Sequence, residues 1–143
     1  MSRSAHVEVQ WAGERLLLLP ERAIAWPAQG TLFLADLHLG KAATFRALGQ
    51  PVPGGTTAQN LARLDALVEH HAARHLVLLG DFLHAAQART PTLLAALDAW
   101  RAGHSQLACT LVRGNHDSRA GDPPPGLRID IVTEPWLVGP FAC

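Results

Sequence analysis

Three short segments carry residue types suited to hydrolytic metal chemistry. Asp36-Leu37-His38 follows the apolar run Leu32–Ala35, Gly80-Asp81 follows "HLVLL", and Gly114-Asn115-His116-Asp117 follows "CTLVR". Side chains alternate along a strand, so Asp36 and His38, two apart at what reads as a strand end, can both face one cation. Gly80 permits close backbone approach, and the two carboxylate oxygens of Asp81 can each take a different ion. Asn115 adds a neutral amide oxygen. Carboxylate, imidazole and amide donors without a thiolate suit manganese, iron or zinc in a catalytic site rather than a structural zinc knot.

Such a centre forms only if the fold brings the three segments together. From Thr31 onward, apolar runs alternate with helix-period segments, the pattern of βαβ units with buried parallel strands. In an open α/β sheet the loops at the carboxyl ends of the strands gather along one edge, where ligands bind. Thr56 and Gln59 make a capping box for a first helix whose Leu61, Leu64, Leu67 and Val68 share a face and which ends near His71. Thr90-Pro91 opens a second helix with Leu93, Leu94, Leu97 and Trp100 as its core stripe. Upstream, His6–Trp11 and "RLLLL" around Ala12-Gly13 read as an antiparallel hairpin, with "AIAW" a further strand. Downstream, "GDPPPG" reads as a loop, and "LRIDIV" and "WLVGPFA" as two more strands. His70, His71 and His75 in "EHHAARH" read as a solvent-facing helix end.

Composition bounds the alternatives. At 143 residues, 48% of them hydrophobic, the chain suits one domain spanning 1–143. A formal net charge of zero excludes the broad basic face of a strong non-specific duplex binder. Two cysteines, Cys109 and Cys143, make no disulfide framework, and the start lacks an export signal, which points to a reducing cytoplasm. "LLLLP" falls far short of the roughly 20 apolar residues of a membrane span.

Asp-x-His, then Gly-Asp, then Gly-Asn-His-Asp resembles the opening half of the calcineurin-like metallophosphoesterase pattern. "ADLHLGKAATFRALGQPVP", "LLGDFLHA" and "VRGNHDSRAG" resemble, more narrowly, the bacterial ligase-associated DNA damage response endonucleases. The resemblance implies an α/β fold, an αββα sandwich of mixed β-sheets flanked by helices. It implies two divalent ions, manganese first among the candidates. Asp36, His38 and Asp81 would hold the first and Asp81 and Asn115 the second, with a hydroxide bridging them. His116 would protonate the leaving oxygen or stabilise its charge, oriented by Asp117. His84 resembles a Gly-Asp-x-x-His extension of nuclease-like members, and Lys41 and Arg113 flank the motif loops, so these three are the candidate substrate contacts. The substrate implied is DNA, in repair, with a functional link to a DNA ligase and a helicase. The motifs themselves are shared with small-molecule phosphatases and nucleotide hydrolases of the same fold.

The family pattern closes with a later His and a Gly-His-x-His loop, and His116 is the last histidine of this chain. The fold is therefore expected to be incomplete at the C-terminus, the chain a truncated one that binds metal weakly, with "WLVGPFA" left as an apolar edge that pairs with other chains. A non-catalytic scaffold that kept the fold is the alternative reading from outside the enzymes.

Overall fold

Alternation of buried and exposed positions begins in the first hairpin. In a computed structural model that describes residues 6–35, 57–80, 91–113, 123 and 125–143, β1 (Val7–Trp11) pairs antiparallel with β2 (Glu14–Leu19). Ala12 and Gly13 make the turn at φ 51° and 78°, the positive values that match a two-residue turn to strand twist. Leu17 and Leu19 of β2 enter one core and Leu16 another, because successive side chains leave a strand on opposite faces. The turn through Pro20, Glu21 and Arg22 leads to β3 (Ala23–Trp26), and a 3-10 turn, Pro27–Gln29, stops at Gly30 in the left-handed region and hands over to β4 (Thr31–Ala35).

From β4 the chain changes to crossover connections. Helix α1 (Thr57–His70) precedes β5 (His75–Leu79), and α2 (Pro91–Gly103) precedes β6 (Ala108–Arg113), followed by β7 (Ile129–Thr133). The seven strands form one mixed sheet in the order β1 to β7, antiparallel as far as β4 and parallel from β4 onward. Leu32, Leu76 and Leu111 are wholly buried, and burial of a leucine side chain contributes about 1.5–3 kcal/mol each. They meet Leu61, Leu64, Leu67 and Val68 of α1 and Leu93, Leu97 and Trp100 of α2 in a single core. The apolar stripes read from the sequence are thus the packed faces, save Leu94, which is only half-buried. Thr56 lies outside the described residues.

The opposite face carries Leu16, Trp26, Phe33, Val77 and Val112. "WLVGPFA" does not lie there as one strand, nor as an edge of the main sheet. It folds back on itself: β8 (Leu137–Val138) pairs antiparallel with β9 (Phe141–Ala142), and Trp136 and Cys143 exchange two backbone hydrogen bonds of 2.7 Å. Gly139 at φ 55° and Pro140 turn the chain. Proline cannot donate to a ladder and glycine alone takes the left-handed turn cheaply, so an apolar run divided by this pair becomes a hairpin. Phe141 stands edge-on to Trp26 with ring centroids 4.9 Å apart. The hairpin leaves an apolar groove of about 370 Å³ between Phe141 and the β1–β3 region, bordered by Trp11, Leu18 and Ile24. "GDPPPG" is likewise not wholly irregular, since a 3-10 turn begins at Pro125 and runs to Leu127.

Candidate functional site

Parallel pairing sets the geometry of the candidate site. Ala35 stands opposite Leu79, and Leu79 opposite Val112, so β4, β5 and β6 finish level with one another at one sheet edge. At a strand spacing of about 4.8 Å, these three positions span about 10 Å. Ala35 is followed in the chain by Asp36, Leu79 by Gly80 and Asp81, and Arg113, one past Val112, by Gly114 and Asn115. Gly80 takes φ 71°, and its N–H donates to the carbonyl of Val112 at 2.8 Å. A side chain is disfavoured at such a φ, so glycine at this strand end has a steric cause.

Of the residues singled out from the sequence, Asp36, His38, Lys41, Asp81, His84, Asn115, His116 and Asp117 lie outside the described residues. Arg113 is described, half-buried at the end of β6 and paired in register with Thr133 of β7. Among the described residues no group of three His, Cys, Asp or Glu side chains stands close enough to hold a metal ion. Cys109 and Cys143 are free thiols, and burial pushes both upward in pKa. Neither offers a ready thiolate, in keeping with a donor set of oxygen and nitrogen.

One residue that the sequence reading missed fastens the segment leaving β6 where it returns to the sheet. Arg101, in the last turn of α2, is 5% exposed. Its Nε donates to the carbonyl of Leu127 at 2.7 Å and its Nη1 to that of His104 at 2.6 Å, with a longer bond of 3.4 Å to Arg128. A buried guanidinium needs its donors satisfied, and carbonyls before β7 satisfy them. A basic residue in a last helical turn suggests a cap for the helix's own carbonyls; the partners twenty-six residues on were not legible.

The histidines divide differently from expectation. His70 and His71 close α1, their rings edge-to-face at 4.7 Å. His75 is not part of that helix end. It opens β5, half-buried, with Nε2 2.9 Å from the hydroxyl of Thr110 and its ring edge-on to Trp136 at 6.2 Å. Burial lowers its pKa below 6.5, partly offset by the carboxylate of Asp130.

Beside the end of β4 lies a cavity of about 260 Å³. Among the described residues it is lined by the β2–β3 turn (Pro20, Glu21, Arg22), the last residues of β4 (Leu34, Ala35) and α1 (Asn60, Arg63, Leu64, Leu67). Its polar groups therefore gather at the edge from which Asp36 departs.

Comparison with known proteins agrees with this architecture. The calcineurin-like phosphoesterase family model matches residues 31–139. The crystal structure of Pseudomonas putida nuclease MPE superposes with a TM-score of 0.86 at 46% identity, covering 96% of this chain and 64% of that one. The chain thus spans less than two thirds of that nuclease's length. Comparison with curated proteins gives no match. No described helix is long and apolar enough to cross a membrane. On the strength of the family match over residues 31–139, the chain belongs to the calcineurin-like phosphoesterase family.

Proposed function

We propose that this chain carries the metal-binding edge of a phosphoesterase that acts as a DNA phosphodiesterase or endonuclease in repair. The observation that carries the reading is the level ending of β4, β5 and β6, each running directly into one motif segment. The similarity to a nuclease supports nucleic acid as the substrate. A cytoplasmic setting and a working link to a DNA ligase and a helicase belong to the same proposal.

The donors fit a pair of divalent ions. Two carboxylates, an imidazole and an amide oxygen follow strand ends that span about 10 Å, within reach of a shared pair of ions. Asp36, His38 and Asp81 hold one ion and Asp81 and Asn115 the other, manganese being the first candidate. When bound, such ions polarise the phosphate and lower the pKa of water. His116, an imidazole whose unperturbed pKa is about 6.5, donates a proton to the departing oxygen, and Asp117 orients its ring. Lys41, His84 and Arg113 contact the strand being cut.

Two measurements test this. Hydrolysis of bis-p-nitrophenyl phosphate should depend on manganese, exceed that of the monoester, and fall by about 10²-fold or more in His116→Ala and Asp81→Asn. Turnover of the monoester with none of the diester removes the phosphodiesterase reading. Isothermal titration with manganese should give heats that Asp81→Asn abolishes; equal heats from the variant place the metal elsewhere.

A further inference from the structure

We propose that the cavity at the carboxyl end of β4 seats a backbone phosphate of a single-stranded nucleic acid, held by Arg22 and Arg63 with Asn60 as a neutral donor. This rests on the phosphodiesterase reading, and it adds a substrate subsite none of whose residues belongs to the motif segments.

The cavity walls carry two guanidiniums and one carboxylate, Glu21. Neither guanidinium makes a hydrogen bond or ion pair among the described residues. Two exposed arginines on the walls of a concave site are the chemistry that takes a phosphate, through bidentate N–H donation and charge. The amide of Asn60 adds donors without charge. With the chain's net charge at zero, strand binding must come from such local sites rather than from a basic face.

Arg22 takes φ 60° within the turn that joins β2 to β3. That turn borders the cavity. Location completes the case: Ala35 lines the cavity and is followed by Asp36, so a strand crossing the sheet edge passes both.

The test is fluorescence anisotropy with a short 5′-labelled single-stranded deoxyoligonucleotide, in EDTA, over a series of salt concentrations. Arg22→Gly with Arg63→Gln should weaken binding roughly tenfold whatever the base sequence, and flatten the log–log salt dependence by about 0.7, the value for one phosphate on a single strand. Arg63→Lys should retain the slope. Arg22→Gly alone should hold or raise the urea midpoint while flattening the slope by part of that amount, a combination that a merely structural arginine does not give. An unchanged slope in the double variant, or no binding by the parent chain, overturns the subsite. Because no metal is present, this outcome is independent of manganese-dependent diester hydrolysis by the parent chain, whose failure instead counts against the catalytic reading.

Discussion

Gly80→Ala tests whether the end of β5 is built as described. Gly80 sits at φ 71°, and holding alanine in the left-handed region costs about 1–2 kcal/mol. The backbone has no cheap way to relax, because the Gly80 N–H is bonded to the carbonyl of Val112 at 2.8 Å and losing that bond costs about 1 kcal/mol. The expected loss of stability is therefore about 1–2 kcal/mol. With a urea slope of about 2 kcal/mol per molar, the midpoint falls by about 0.5–1 M. Gly103→Ala is the control. Gly103 ends α2 with nothing within 4 Å of an added Cβ, so this change should be neutral or stabilising by up to about 1 kcal/mol. Both are read from equilibrium urea unfolding followed by far-UV circular dichroism. If Gly80→Ala unfolds at or above the parent midpoint, β5 does not end in a left-handed glycine, and the strand end that leads to Asp81 is not built as described.

Gly139→Ala should loosen the terminal hairpin. An added Cβ would stand 2.6 Å from Cη2 of Trp26 at a residue with φ 55°, and strain with overpacking amounts to about 2–4 kcal/mol. A red-shifted tryptophan emission and loss of near-UV ellipticity are expected; an unchanged spectrum would show that the hairpin does not rest on Trp26. Acid should destabilise the fold through His75. Its folded pKa lies below 6.5, so its contribution is complete above the unfolded value of about 6.5 and is lost as pH falls through the folded one. His71, also lowered by burial, contributes in the same direction. Urea midpoints between pH 7.5 and 5.0 should fall for the parent and fall less for His75→Gln, and equal slopes would remove His75 from the account.

Much of this arrangement is legible in the chain itself. Apolar runs free of glycine and proline became β4, β5 and β6, because strands buried on both faces need no polar alternation. Thr90-Pro91 marked the start of α2, where a missing N–H is harmless. Other features depend on information that no local pattern contains. Helix α1 ends where the sequence places it, near His71, and Ala72 turns to φ 48°; His75 groups with that end by its spacing in "EHHAARH", although it opens the next strand. Nothing in the local sequence marks Arg101 as buried, and only the return of the chain at Leu127 makes its burial tolerable. Arg22 and Arg63 are forty-one residues apart by their numbers, and only the fold puts the β2–β3 turn and α1 on one cavity. At the candidate centre, the residue types were readable from the sequence, and the level strand ends set where the segments that carry them begin.

The flush finish of β4, β5 and β6 has a bearing on how such a chain tolerates change. Each of β4 and β5 is five residues long, and both begin in register at Thr31 and His75. Lengthening the crossovers between them leaves the working rim where it is, whereas adding one residue inside a strand reverses its inward and outward faces and carries its acid out of line. Spacing between the motifs is thus free to drift, and it is strand length that must be kept.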